Sequence, residues 1–171
     1  MAFPQIVPPR NRLACRRDDG GGVSATAYTS TRAPVITDVT HTVERSGQAG
    51  VLAAQILAAL QGRIYGGLRE TQIQDRVGAA LAAAGLVFER ECRLSERDRP
   101  DFLVGGQVVV EVKLKTPRSV VLRQLGRYAE HGQVEAIVLA TTSFSTLRNM
   151  RVTIHQVPVY PAVLRGVGLL A

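Results

Sequence analysis

The sequence predicts an α/β protein with a mixed β-sheet flanked by helices. Two periodicities indicate this class: apolar residues recur at helical spacing in some segments, and other segments are short apolar or alternating runs typical of strands. The clearest combination is a Val-rich strand ending near residue 115, a helical segment from about 118 to 131, and a buried strand at 135–141. This order predicts a βαβ unit with parallel strands and a right-handed crossover.

The elements outside this unit follow from the same patterns. Residues 47–61 have the apolar spacing of a short helix, and a second helix is expected from about 69 to 84. Strands are expected at 87–94 and at 151–160. The last strand is expected to be broken at Pro158, because proline cannot donate a hydrogen bond to a sheet.

Residues 1–45 differ from the rest of the chain in composition. They contain four prolines, three consecutive glycines at 20–22 and a small cluster of arginines. Such a segment is expected to be a flexible or loosely packed N-terminal extension. Residues 46–171 are then expected to form one domain, in keeping with the length of the chain.

The chain carries a large excess of positive charge. Its formal net charge is +7 and its pI is about 10.2, which favours a polyanionic partner, either a nucleic acid or an acidic membrane surface. The longest apolar segment, 51–60, is about half the length that spans a bilayer. Since there is no apolar signal region, and two distant cysteines are expected to be reduced thiols, the sequence predicts a cytoplasmic protein without a membrane partner.

The stretch RPDFLVGGQVVVEVKLK, residues 99–115, has the pattern of two strands joined by a glycine turn. Residues two apart in a strand share a face, so the valines at 108, 110 and 112 form a core face while Glu111, Lys113 and Lys115 form the other. A two-residue turn would place Asp101 on the valine face, whereas a three-residue loop at 105–107 pairs Asp101 with Glu111. Only the second register, or an equivalent bulge, agrees with the apolar pattern and also brings the two carboxylates together, so we predict the three-residue loop or such a bulge.

Lys113 and Lys115 are the only two lysines in a chain with 19 arginines. Arginine stays protonated and presents a planar fork, whereas lysine is a compact point charge whose pKa can shift. The choice of lysine indicates a site that needs a single ammonium beside a reacting water.

Two carboxylates that converge near the end of a sheet are suitable ligands for Mg²⁺ or Mn²⁺. Asp101 and Glu111 are the candidate metal ligands, and the backbone carbonyl of Val112 is a further one. Lys113 would orient the attacking water or offset charge in the transition state. The alternative is a solvated strand face with an ordinary ion pair.

The sequences Pro100-Asp101 and Glu111-Val112-Lys113 resemble the motif of the PD-(D/E)XK nuclease superfamily. The resemblance covers about residues 64–142. It implies a restriction-endonuclease-like core and a Mg²⁺-dependent enzyme that hydrolyses DNA phosphodiester bonds.

In this superfamily an acidic residue on the preceding helix often completes the catalytic and metal site, and Glu70 is the candidate here. It lies three residues before Ile73 and seven before Val77, so it shares their apolar helix face. A carboxylate on that face needs a partner, and a metal would be one. The alternative is that Glu70 complements the helix dipole from a solvated first turn.

Gln124 and Tyr128 are four residues apart on the helix after the Glu-X-Lys strand, so their side chains are neighbours. The sequence QLGRY is similar to the Gln-x-x-x-Tyr motif of the RecB-like branch, in which this pair is thought to orient the substrate. Arg123, Arg127 and Lys115 are further candidates for contacts with substrate phosphates. A plain solvated face is the alternative for the two arginines.

The resemblance to the RecB-like branch implies exonuclease action or processing of single-stranded ends. Many enzymes of this branch hold an iron–sulfur cluster with four cysteines, and this chain has two, so no cluster is expected. Single-stranded or branched DNA is the expected partner. Two alternatives remain open: a dimeric structure-specific or restriction-like endonuclease such as a junction resolvase, and a nucleic-acid-binding subunit without turnover.

Overall fold

The structure is a computed structural model that describes residues 37–66, 69–143 and 153–166, with side chains from residue 47 onward. Within these residues there are three helices and six strands. The helices are α1 (Thr37–Leu60), α2 (Glu70–Ala83) and α3 (Arg118–Ala129). The strands are β1 (Phe88–Arg90), β2 (Phe102–Val104), β3 (Val108–Lys113), β4 (Ala136–Thr141), β5 (Thr153–Ile154) and β6 (Val157–Val163).

The six strands form one open mixed sheet in the order β1-β2-β3-β4-β6-β5. β1, β2 and β3 are antiparallel neighbours, β3 and β4 are parallel, and so are β4 and β6. β5 pairs antiparallel with β6. The predicted α/β class, and the parallel strands of the β3-α3-β4 unit, are therefore confirmed.

The two faces of the sheet bury separate apolar clusters. One cluster joins α1 and α2 to the face that carries Val108, Val110 and Val112. The other joins α3, through Val121 and Leu125, to the opposite face. Because both faces of β3 are covered, the charged residues on that strand lie in a largely buried environment rather than on a solvated face.

The hairpin between β2 and β3 has the predicted three-residue loop. Val104 is paired with Val108 and Phe102 with Val110, which places Asp101 opposite Glu111. Gly105 and Gly106 have φ angles of +58° and +74°, in the left-handed region that favours glycine. A Cβ atom at Gly105 would lie 2.8 Å from Leu52 Cδ2, so this loop also packs closely against α1.

Three elements differ from the sequence prediction in their bounds. α1 begins at Thr37 rather than near residue 47, and so includes the last residues of the predicted extension; residues 1–36 lie outside the described part of the chain. β1 is only three residues long, because Glu91 adopts a φ of 51° and leaves the strand conformation. β6 continues through Pro158, and the break lies instead at His155 and Gln156, where two positive φ angles form the turn from β5.

Two further expectations concern the cysteines and the membrane. Cys92 is buried and belongs to a disulfide bond, so the expectation of a reduced thiol at this position is wrong. Among the described residues, no helix has both the length and the apolar character required to cross a membrane.

Candidate active site

Asp101 and Glu111 lie side by side because of the hairpin register. The Val112 backbone N–H donates to Asp101 Oδ2 at 2.7 Å, and the Asp101 backbone N–H is 3.4 Å from Glu111 Oε2. Each carboxylate therefore accepts a hydrogen bond from the backbone of the strand opposite it. These contacts hold the two acids on one side of the hairpin, as the strand parity predicted.

Lys113 follows Glu111 by two residues on β3 and therefore shares its face. Its Nζ lies 2.7 Å from Glu111 Oε1 and 3.5 Å from Glu70 Oε1. The other oxygen of Glu70 accepts from the Leu114 backbone N–H at 3.3 Å. Glu70, the first residue of α2, thus joins that helix to the end of β3.

Gln124 and Tyr128 complete the cluster from α3. Gln124 Nε2 donates to Glu111 Oε1 at 2.8 Å and to the Tyr128 hydroxyl at 2.6 Å. Tyr128 is only 1% exposed, and burial together with the negative charge of Glu111 raises the pKa of its phenol. The Gln-x-x-x-Tyr pair therefore contacts the Glu-X-Lys residues directly.

Burial makes ionisation of the two central acids costly. Glu111 is 1% exposed, and burial and then the neighbouring charge of Asp101 raise its pKa to about 7. The pKa of Asp101 is also raised, chiefly by burial and also by Glu70, although the Val112 N–H and Lys113 act in the opposite direction. Two neighbouring carboxylates with raised pKa values, one buried and one half-buried, are typical of functional sites.

The surroundings of Lys113 favour its charged form, whereas those of the two acids favour their neutral forms. Burial by itself would lower the pKa of its ammonium, but the Glu111 carboxylate outweighs that effect, with smaller contributions from Glu70 and Asp101, and the pKa is raised. Lys113 therefore stays protonated at neutral pH and acts as a positive charge and hydrogen-bond donor.

The donor set suits a hard divalent cation in its chemistry, although it is not a preformed cage. Three carboxylates (Glu70, Asp101 and Glu111) and one ammonium leave a formal charge of −2 when all are ionised, which a divalent cation would neutralise. Among the described residues, no three His, Cys, Asp or Glu side chains are arranged to hold a metal ion. Glu111 Oε1 accepts hydrogen bonds from both Gln124 and Lys113, whereas Glu111 Oε2 and each oxygen of Asp101 accept one and keep a lone pair. Asp101 and Glu111 Oε2 therefore retain lone pairs for a cation.

Three predicted substrate contacts are not part of this cluster. Lys115 is exposed and lies beyond the end of β3. Arg123 is exposed on α3 and lines a groove between that helix and β5. Arg127 lines the same groove, but its Nε donates to Asp98 Oδ1 at 2.8 Å.

The sequence analysis missed one residue of the site and one cluster of residues near it. Gln74 donates through Nε2 to Asp101 Oδ1 at 2.8 Å. The sequence did contain an indication of this contact, because Gln74 lies four residues after Glu70 and so shares a helix face with it.

The missed cluster surrounds Asp98, which is 6% exposed. Its carboxylate accepts from Arg127 and Ser95 and lies 3.1 Å from His131 Nε2. Burial by itself would raise the pKa of Asp98, but the hydrogen bonds from Arg127, His131 and Ser95 outweigh it and lower the pKa. This cluster ties the loop before β2 to α3, close to Tyr128 in sequence. No local pattern indicated it, because its ends are about 30 residues apart along the chain.

Comparisons of the chain with protein-family models, with curated proteins and with solved structures found no match. The interpretation of the site therefore depends on its own geometry and chemistry.

Proposed function

We propose that this protein is a Mg²⁺- or Mn²⁺-dependent nuclease of the PD-(D/E)XK type, with a restriction-endonuclease-like core, that hydrolyses phosphodiester bonds in DNA. The observation that carries the proposal is the direct contact among motif residues: the Val112 N–H holds Asp101 at 2.7 Å, and the Lys113 ammonium lies 2.7 Å from Glu111. The net charge of +7 favours a polyanionic substrate.

In this proposal Asp101 and Glu111 hold the metal, and the Val112 carbonyl and Glu70 are further candidate ligands. When bound, a divalent ion stabilises charge on a phosphoryl oxygen and lowers the pKa of an attacking water. Burial and the neighbouring carboxylates raise the pKa of both acids, and a bound cation would offset these effects and favour the ionised forms.

Lys113 serves as the cation that offsets negative charge on the phosphoryl group as the new P–O bond forms and the P–O bond to the leaving strand breaks. Its pKa is raised by Glu111 despite burial, so it donates a hydrogen bond rather than accepting a proton from water. The carboxylates of Glu111 and Glu70, at 2.7 Å and 3.5 Å, hold its ammonium in place.

Gln124, which contacts Glu111, is the candidate for orienting the substrate strand, and the buried Tyr128 holds Gln124 in place. Lys115, Arg123 and Arg127 are candidates for contacts with backbone phosphates. The RecB-like form of the motif favours exonuclease action or processing of single-stranded ends, without an iron–sulfur cluster. Cleavage of closed circular or branched DNA by a homodimer is the outcome that favours the endonuclease alternative.

A second candidate function is nucleic-acid binding without turnover. Two observations favour it: Lys113 already neutralises Glu111, and the described residues contain no ready-made group of three ligands for a metal. For this function the polar cluster stabilises the hairpin, and the positive net charge of the chain provides the affinity for DNA.

The test is a digestion panel of linear, circular, single-stranded and branched DNA, together with RNA, in Mg²⁺, Mn²⁺ or EDTA. We expect metal-dependent cleavage by the full chain, reduced about 100-fold or more in Asp101→Ala and in Lys113→Met. Asp75→Asn is the matched control, because Asp75 is an exposed carboxylate that pairs with Arg90 on the surface.

Two outcomes would contradict the proposal. If Asp101→Ala and Lys113→Met cut as fast as the parent, the assignment of the site is wrong. If the full chain binds DNA but cuts no substrate in either metal, the binding function replaces the nuclease function.

A further inference from the structure

Gln74 contacts the site from α2, one helical turn after Glu70. Its side chain is half-buried, and its Nε2 donates to Asp101 Oδ1 at 2.8 Å. The other oxygen of Asp101 accepts from the Val112 backbone N–H at 2.7 Å. Both oxygens of the carboxylate are therefore held by neutral donors from two different elements.

The two hydrogen bonds restrain the terminal side-chain torsion of Asp101. The terminal torsion of an aspartate, which rotates its carboxylate plane, has a broad energy minimum. A single hydrogen bond from the Val112 N–H restrains one oxygen and leaves the plane free to rotate about that contact. The second hydrogen bond, from Gln74, defines the plane of the Asp101 carboxylate, and each oxygen keeps one lone pair for a ligand.

We propose that Gln74 is a positioning residue that orients the Asp101 carboxylate for a divalent cation. The inference rests on the proposed function, because it takes Asp101 as a metal ligand. Groups that hydrogen-bond a ligating side chain commonly contribute about 10- to 100-fold to metal affinity or activity. An amide suits this place, because it holds the carboxylate without adding a fourth negative charge to Glu70, Asp101 and Glu111.

A structural tie between α2 and the start of β2 is the alternative role for Gln74, and metal affinity separates the two roles. A tie contributes to folding whether or not a cation is present. A positioning residue changes the affinity for the cation in a variant that is still folded, whereas a tie alone leaves that affinity unchanged.

The test is a calorimetric titration of the full chain with Mn²⁺, without DNA. Gln74→Met keeps the length of the side chain and removes the donor, and we expect its Kd for Mn²⁺ to rise about 10- to 100-fold. The control is Gln55→Met, since Gln55 is an exposed glutamine on α1 outside the site, and its Kd should match that of the parent. Asp101→Ala provides the reference for loss of the ligand itself.

A second readout is the Mn²⁺ concentration that gives half-maximal DNA cleavage. It should rise in Gln74→Met by the same factor as the Kd, with kcat at saturating Mn²⁺ close to that of the parent. Unfolding of each variant in EDTA serves as the check on folding. Gln74→Ala is the second variant, because alanine favours the helix and removes the donor at little cost to α2 itself.

The outcomes distinguish this inference from the proposed function. Unchanged Mn²⁺ affinity in both Gln74 variants, with cleavage still dependent on Asp101, overturns the role of Gln74 and leaves the nuclease function standing. A parent that binds Mn²⁺ through Asp101 but cuts no nucleic acid overturns the nuclease function, and the calorimetry still decides the role of Gln74. A parent with no Mn²⁺ binding at all overturns both.

Discussion

Replacing Glu111 by glutamine should abolish cleavage, and the metal-free variant should gain stability relative to the parent as pH rises from acid to alkaline. Glu111 is almost completely buried, and burial and the charge of Asp101 raise its pKa from 4.5 to about 7. Glutamine has nearly the same shape as the protonated acid and carries no charge at any pH. The substitution therefore removes the cost of ionising a buried carboxylate.

The magnitude follows from the difference between the two pKa values. Each tenfold change in proton affinity corresponds to about 1.4 kcal/mol, so ionised Glu111 destabilises the folded state by about 3 kcal/mol relative to the protonated form. The folded protein binds more protons than the unfolded chain between the two pKa values. Stability of the parent therefore falls as pH rises from about 4.5 to about 7, and stability of Glu111→Gln lacks this contribution.

The assay is urea unfolding of both proteins in EDTA, near pH 5 and near pH 8. We expect the free energy of unfolding of Glu111→Gln to exceed that of the parent by about 2–3 kcal/mol more near pH 8 than near pH 5. Glu96→Gln is the control, because Glu96 is exposed on the loop before β2 and lies outside the site. The reasoning is refuted if the difference between Glu111→Gln and the parent is the same at both pH values, or if the variant becomes relatively less stable near pH 8.

Three other predictions concern stability. Asp98→Asn should cost about 1–2 kcal/mol at neutral pH; because the pKa of Asp98 is lowered in the folded state, this contribution exists above its ordinary value of 3.8 and is lost as pH falls through the folded-state pKa. Equal destabilisation in acid and neutral urea titrations would contradict that assignment. Gly105→Ala should destabilise the protein more than Gly106→Ala in thermal unfolding. Both positions have a positive φ, which costs an alanine about 1–2 kcal/mol, but only a Cβ atom at Gly105 would lie 2.8 Å from Leu52 Cδ2. Equal destabilisation by the two substitutions would exclude that contact. Mn²⁺ at about 100 times its Kd should stabilise the parent by about 2.7 kcal/mol and leave Asp101→Ala unchanged, and an equal gain in that variant would place the cation elsewhere.

The hairpin shows how far the sequence could be interpreted on its own. Strand parity and the glycine positions were enough to predict that Asp101 lies opposite Glu111, because a shift by one residue would have turned the apolar set away from the core. Helical spacing likewise placed Gln124 beside Tyr128. These inferences succeeded because the residues involved are close along the chain and share one regular element or one turn.

Contacts between distant segments were beyond this kind of reasoning. Asp98 meets Arg127 and His131 across about 30 residues, and no periodicity relates a loop to the far end of a helix. The path of the last strand was also misjudged, because Pro158 fits within β6 and the chain turns at His155 instead. Proline is compatible with a strand wherever its missing N–H is not needed for pairing.

The sequence by itself determined the α/β class, the three-residue hairpin loop and the side-by-side placement of Asp101 and Glu111, since local periodicity and turn chemistry specify all three. Only the tertiary structure decided how deeply the acids are buried and which side chains contact them. Those properties arise when α2 and α3 pack beside the hairpin, because burial sets the cost of each charge, and the partners Gln74 and Gln124 arrive from separate helices.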